Sequence, residues 1–282
     1  MIYKNGYLVK ALYKGASPVK NVFKGVNMVF GDNGGGCDDT LSFKFDGTVN
    51  FKINNTTYTA TESPYTTTLG ELGISSFVNA KQMFNGYNSY FTEISKIPCT
   101  DNVTNMNGMF RVCSGLTSLD VSSLNTSNVV DMSGMFYMCS NLTSLDLNNF
   151  NTEKVTKMGS MFSNCSGLTT LDLSNFNTSN VTSMGSMFYN CSSLTSLDLN
   201  NFNTEKVTSL YNMFCYCTEL TMLNVSGWDI SKITTNDYMF FGCSKLNRLI
   251  LGDVTQAQYD WWYQRLVDAR IQNNVTIEYN LI

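Results

Sequence analysis

The sequence predicts an α/β solenoid: a parallel sheet with short helical or 3₁₀ turns, a small β module before it and a helix–strand cap after it. Two observations carry this. Met-Phe recurs every 26 residues without insertion or deletion, from Met83-Phe84 through Met109, Met135, Met161, Met187 and Met213 to Met239-Phe240. A cysteine keeps the same step at Cys113, Cys139, Cys165, Cys191, Cys217 and Cys243. A period held so strictly means that each unit is one structural element stacked on a like neighbour.

The unit beginning at Leu142 shows how a turn is built. Leu145, Asp146 and Leu147 alternate apolar, polar and apolar, the period of a half-buried strand. Val155, Met158, Met161 and Phe162 fall at i, i+3, i+6 and i+7, one helical stripe. The reading is a strand followed by a short helix or 3₁₀ turn, with Leu, Val, Met, Phe and Cys columns forming the core. Strands containing Leu119, Leu145, Leu171, Leu197 and Leu223 are expected to form one parallel sheet. The columns drift at both ends: Tyr87 replaces the ladder cysteine, Phe91, Ile94 and Ile97 approximate the leucines, and Asn236 replaces a methionine. Terminal repeats depart in this way where a solenoid is closed off.

Five segments follow. Residues 1–31 form a basic module of β-hairpins with a ten-residue repeat: Ile2-Tyr3-Lys4, Leu12-Tyr13-Lys14 and Val22-Phe23-Lys24 align, and Gly15 and Gly25 follow as turn residues. Residues 32–39, with Gly34-Gly35-Gly36, read as a joint. Residues 40–80 read as an N-terminal cap, with Leu41, Phe43 and Phe45 paired to Val49, Phe51 and Ile53 across an Asp46-Gly47 turn. Residues 81–252 are the solenoid and 253–282 the C-terminal cap. In that cap Thr255 and Gln258 have capping-box spacing, Tyr259, Trp262, Leu266 and Ala269 make a helical stripe, and Val275, Ile277, Tyr279 and Leu281 alternate as a strand. Trp261 and Trp262 have two readings, closure of the last coil or an exposed sugar platform.

Charge is scarce and unevenly placed. Charged residues are 14% of the chain, and Ser, Thr and Asn are abundant, a surface poorly suited to nucleic acid. Lys4, Lys10, Lys14, Lys20 and Lys24 give residues 1–31 a charge of +5, leaving −9 on the remainder of a chain whose net charge is −4. These lysines serve either as solvated strand edges or as a docking face. No apolar run has membrane-spanning length, and the first residues lack the pattern of a secretory signal.

Little in the sequence points to a reaction. There is no histidine, which removes Ser-His-Asp and Cys-His arrangements and the commonest zinc ligand. No phosphate loop is present, and no catalytic residue, metal site or cofactor is expected. The ladder cysteines are expected to be free packing residues. The sharpest binding candidate is a column of Asp120, Asp146, Asp172 and Asp198, then Asn224, flanked by Ser118, Ser144, Thr170 and Ser196. Three readings stand: a structural ladder in which those hydroxyls bond the carboxylates, a polar strip facing glycan hydroxyls or a cation, and an acid pair at glycosidase spacing. The last is disfavoured, because catalytic pairs need unlike environments.

The consensus Leu-x-x-Leu-Asp-Leu-x-x-Phe-Asn-Thr-x-x-Val-Thr-x-Met-x-x-Met-Phe-x-x-Cys resembles leucine-rich repeats, in particular the BspA-like repeat of bacterial surface proteins, over about residues 80–252. The resemblance implies a displayed recognition or adhesion protein. Leu-Tyr-Lys-Gly-Ala-Ser-Pro-Val-Lys-Asn-Val-Phe-Lys-Gly, from Leu12, resembles segments of gut-bacteriophage virion and tail proteins. That second resemblance implies assembly in the host cytoplasm, other virion proteins as partners of residues 1–31, and a host-surface glycan or protein as partner of the solenoid. It also admits a homo-oligomer. Adhesion from a bacterial cell surface and an inert virion spacer are the alternatives.

Overall fold

A computed structural model of the protein describes residues 2–4, 7–9, 39–46, 48–72, 74, 77–86 and 90–282. Lys10, Lys14, Lys20, Lys24 and the Gly34–Gly36 joint lie outside the described residues, and with them most of the predicted ten-residue repeat.

From residue 79 to residue 240 the chain stacks in 26-residue coils. Parallel bridges join Asn79 to Asn105, Asn105 to Asp131, Asp131 to Lys157, Lys157 to Ser183, Ser183 to Ser209 and Ser209 to Thr235. The Phe84, Phe110, Phe136, Phe162, Phe188, Phe214 and Phe240 rings form a continuous pile with centroids 5.6–5.8 Å apart. Neighbouring planes in it lie within 10° of parallel. Valine, methionine and cysteine columns line the same core and are fully buried.

The Met-Phe segments are not helices. In the coil of Phe162 the backbone N–H groups alternate between two kinds of acceptor. Those of Ser160, Phe162 and Asn164 donate across to Gly185, Met187 and Tyr189 of the next coil at 2.9, 3.0 and 2.7 Å. Those of Met161, Ser163 and Cys165 donate three residues back to Met158, Ser160 and Phe162 at 3.2, 3.1 and 3.0 Å. Each segment is therefore a chain of turns that is also a rung of a main-chain ladder. Past its first turn a helix satisfies its N–H groups internally and could not bond a neighbour at every second residue this way. The turns need left-handed residues, and Ser160 and Asn164 sit at φ 57° and 61°. An i, i+3 stripe is common to both geometries, so periodicity alone reads as helix.

The leucine side of the stack is less regular than the sequence predicts. Among the described residues, strands are formed only toward the C-terminal end: β8 (Ser196–Asp198), β9 (Met222–Asn224), β10 (Arg248–Val254) and β11 (Thr276–Leu281), a parallel sheet in the order β11-β10-β9-β8. Leu197, Leu223 and Leu249 are in register there. The equivalent segments around Leu119, Leu145 and Leu171 run without strand pairing. Leu171 is only half-buried, whereas Leu223 is fully covered.

Two polar columns, one of buried threonines and one of exposed asparagines, hold the coils together in addition. The Thr152 hydroxyl donates to the Asn177 carbonyl at 2.9 Å and accepts from the Asn177 N–H at 2.8 Å. Thr100, Thr126 and Thr178 donate to the same carbonyl position in their next coils. The Asn175 amide donates back to the Leu147 and Phe150 carbonyls, as Asn149 and Asn201 do in their coils. These bonds satisfy carbonyls that the narrow turns would otherwise bury unpaired.

The N-terminal cap departs from its predicted topology. β3 (Thr40–Asp46) and β4 (Val49–Ile53) do not pair across Asp46-Gly47. Instead β4 pairs with β5 (Thr56–Ala60) through Asn54-Asn55, both at positive φ (50° and 66°) as a two-residue I′ loop requires. β3 lies between β6 (Tyr65–Thr68) and β7 (Tyr90–Lys96) in a second sheet. Alternation fixes which face of each strand is buried, but it does not say which strand is the partner. The two sheets face each other: Phe43 packs edge-on against Phe51 at 5.3 Å and against Phe84 at 5.8 Å.

The segment boundaries shift accordingly. Phe91 and Ile94 belong to β7 of the cap rather than to a first solenoid strand, so the cap extends past residue 80. β1 (Ile2–Lys4) pairs with β2 (Tyr7–Val9) and also with β5, so the first strand shares a sheet with the cap rather than standing apart from it. The cap closes the first edge of the stack of coils through main-chain bonds. The Lys52 and Asn54 N–H groups donate to the Met83 and Asn79 carbonyls at 2.8 and 2.9 Å, and the Asn54 side-chain oxygen accepts from Val78 and Asn79. A solenoid edge left unpaired would be a template for aggregation.

At the other end α1 (Gln256–Asp268) starts with the predicted capping box between Thr255 and Gln258. It is the one α-helix among the described residues. It lays Trp262 and Leu266 over the last coil, with the Trp262 ring 6.0 Å from Trp228 and 6.3 Å from Phe240. Trp262 is therefore a closing residue and not half of a sugar platform. Trp261 is partly buried beneath the Arg265 guanidinium, 5.0 Å above its ring.

Candidate ligand-binding face

The Asp120, Asp146, Asp172 and Asp198 side chains are exposed in one column, and Asn224 continues it half-buried. Their hydrogen bonds differ from the predicted ladder. Each side-chain oxygen accepts from the N–H two residues ahead: Ser122 to Asp120 at 2.9 Å, Asn148 to Asp146 at 3.0 Å, Ser174 to Asp172 at 2.9 Å, Asn200 to Asp198 at 3.2 Å and Ser226 to Asn224 at 3.1 Å. The column is a series of Asx turns, which short acceptor side chains form where the chain leaves an extended segment. Ser118, Ser144, Thr170 and Ser196 precede each acid by two residues, and the carboxylates take their bonds from the other side. The reading of these hydroxyls as the carboxylates' partners is corrected by that geometry.

The hydrogen bonds hold two of these acids in the charged form. The Ser122 hydroxyl and N–H lower the Asp120 pKa from its ordinary value, and the Ser174 N–H and hydroxyl lower that of Asp172. A lowered pKa adds stability that is present above the unfolded value and lost as pH falls through the folded one. The same device recurs in a neighbouring column, where Asn125, Asn151, Asn177 and Asn203 and then Asp229 accept from the N–H two residues on. A third column does the same at Asn79, Asn105 and Asp131, so the acid column is one of three turn columns, chosen first for its backbone. One member has a concave setting: Asp120 lines a cleft of about 300 Å³ with Ser95, Lys96, Ile97, Cys99, Asp101 and Ser123.

The cysteine ladder is buried and free. Each thiol points at the carbonyl of the phenylalanine in the preceding coil, from Cys113 to Phe84 at 2.7 Å through Cys165 to Phe136 and Cys191 to Phe162 at 3.0 and 3.1 Å. Burial pushes the Cys139, Cys191 and Cys243 thiols up to about 12. A thiol held so far from its thiolate is a poor nucleophile and a poor ligand. Cys215, beside Cys217, is pushed to about 11 by the same cause. Cys99 is disulfide-bonded. We expect native protein to react slowly with a thiol reagent and to release seven reactive thiols on denaturation without reductant, matching the seven free cysteines. Fewer than seven would mean bridges within the ladder.

Among the described residues no three His, Cys, Asp or Glu side chains converge as metal ligands would, and no helix is long and apolar enough to cross a membrane.

A second face was not read from the sequence. Tyr211, Tyr216, Tyr238 and Phe241 are all more than two-fifths exposed on the Met-Phe side of the last coils. Tyr189 lies beside them, its ring 5.9 Å from Tyr216. The signal was present in the columns flanking Met-Phe, where the last two coils replace Gly, Ser and Asn with aromatic residues.

The family described as "Mycoplasma protein of unknown function, DUF285" matches residues 52–169 and, again, 137–254. The chain belongs to this family. The two matches overlap across the repeats and together take in β5, β6 and β7 of the cap and the whole stack of coils. No curated protein and no solved structure shows significant similarity to the chain.

Proposed function

We propose that the protein is a non-enzymatic recognition element: a bacteriophage virion fibre or decoration protein that binds host-surface glycan or polymer through a leucine-rich-repeat solenoid. The observation that carries this reading is the stack itself. Its coils are locked by main-chain ladders, a buried Thr column, an Asn column and one pile of phenylalanine rings. Such a stack presents the same neutral hydroxyl and amide chemistry rung after rung, which suits an extended polymer better than a small substrate. Its exposed carboxylates are occupied as turn acceptors, in nearly identical settings, unlike an acid–base pair. The likeness of the repeat to BspA-like surface proteins favours a displayed protein. The basic repeat of residues 1–31, with its likeness to virion segments, favours attachment to a particle through other virion proteins.

A second reading is a bacterial surface adhesin. The disulfide at Cys99 favours it, because disulfides form and persist in oxidising compartments. Immunogold electron microscopy separates the two. Label on purified particles is the expected result, and label on the envelope of uninfected cells would replace the virion reading with the adhesin.

A further inference from the structure

We infer that the aromatic patch of Tyr189, Tyr211, Tyr216, Tyr238 and Phe241 is the subsite that stacks on the sugar rings of a neutral polysaccharide. The inference rests on the recognition reading above and assigns it a surface. The rings form one connected cluster. Tyr211 meets Tyr238 at 6.3 Å, Tyr216 meets Phe241 at 5.4 Å and Tyr238 meets Phe241 at 6.1 Å, all edge to face. This leaves a corrugated surface on which Tyr211, Tyr216, Tyr238 and Phe241 stay more than two-fifths exposed, with neighbouring centroids 5.4–6.3 Å apart.

The fold does not require these residues. The coils of Phe110, Phe136 and Phe162 pack the same core while carrying Gly108, Gly134 and Ser160 where the last coil has Tyr238. They carry Val112, Met138 and Asn164 where the next-to-last coil has Tyr216. Both tyrosines also occupy left-handed backbone, Tyr216 at φ 62° and Tyr238 at φ 57°, which Gly or Asn accepts more readily than a bulky aromatic residue. Gly242 is fitted to the cluster: a Cβ there would lie 2.7 Å from the Tyr216 ring.

The chemistry selects the occupant. None of the four tyrosine hydroxyls has a hydrogen-bond partner among the described residues, so each is available to a ligand. Asn190 and Asn212, in the same segments, are half-exposed. Asp237 is the one charged side chain in the segments 185–190, 211–216 and 237–242. A corrugated array of exposed rings with polar tips, neighbouring amides and little charge matches a neutral polymer with apolar ring faces and equatorial hydroxyls. Highly charged partners are not matched, since nothing here would pair them.

Calorimetric titration with dextran, yeast mannan, laminarin and xylan tests this, using the full chain. The variant is Tyr216→Asn with Tyr238→Ser, residues that sibling coils already carry at these places. Asp146→Asn with Asp172→Asn is the comparison. We expect the parent to bind at least one polymer, the aromatic variant to bind it about tenfold or more weakly, and the aspartate variant to match the parent. Circular dichroism checks the fold, and Phe241→Ser serves if the double variant does not fold. Parent-like binding by the aromatic variants overturns the inference. If the aspartate variant alone loses affinity, glycan recognition stands and its site is the acid column. If no polymer binds but the labelled protein still coats host cells, recognition stands and the glycan subsite falls. Concentration-dependent dimerisation abolished by the aromatic variant would make the patch a contact between copies, and also overturns the inference.

Discussion

Replacing Phe162 with alanine is expected to destabilise the protein by about 3–5 kcal/mol, the range for truncating a fully buried aromatic side chain. Phe162 is central in the pile, 5.7 Å from Phe136 and 5.8 Å from Phe188, and is fully buried. The cavity cannot collapse readily, because the ladder bonds on either side of Phe162 fix the coil spacing. Urea unfolding followed by circular dichroism measures the effect. Stability here is close to a sum of coil terms and interface terms, so the variant should also broaden the transition as the two halves uncouple. A change within about 0.5 kcal/mol would show that the pile is not a core. Leu171→Ala should cost less than Phe162→Ala, since Leu171 is only half-buried.

Trp262→Ala is expected to cost a similar amount, about 3–5 kcal/mol, for a different reason. Trp262 covers both Trp228 and Phe240, so it terminates two ring columns at once. Its loss opens the apolar end of the last coil to water. Loss of α1 docking, aggregation on mild heating and earlier proteolysis around residues 256–268 should accompany the drop in stability. Trp261→Ala should cost distinctly less, because that ring is only partly buried and its companion is the Arg265 side chain. Equal costs for the two tryptophans would refute the assignment of Trp262 as the closing residue.

Much of the core was legible residue by residue. Columns such as Met161, Phe162 and Cys165 repeat at a fixed step, and a fixed step can be satisfied only by stacking like on like. The C-terminal helix was equally legible, since Thr255, Gln258, Trp262 and Leu266 are all within one local element. The candidate binding face was less so. The acids were visible as a column, but their N–H partners lie two residues downstream, a choice made by the backbone turn and not by the flanking hydroxyls. The aromatic patch was harder still. Tyr189 and Phe241 share one repeat position and Tyr216 takes the next, so no column is aromatic in every coil, and the rings meet only across neighbouring coils.

The sequence by itself determined the 26-residue period, the composition of each buried column and the closure of the last coil by a capped helix. Each of these depends on local spacing or on exact repetition. The tertiary structure decided which way the backbone bonds ran. It placed β3 and β4 in different sheets although each alternates correctly for a hairpin. It made the Met-Phe stripe a laddered chain of turns instead of a helix. An apolar stripe specifies the face that is buried, whereas a main-chain N–H carries no side-chain signature and takes whichever acceptor the neighbouring coil or strand brings within reach.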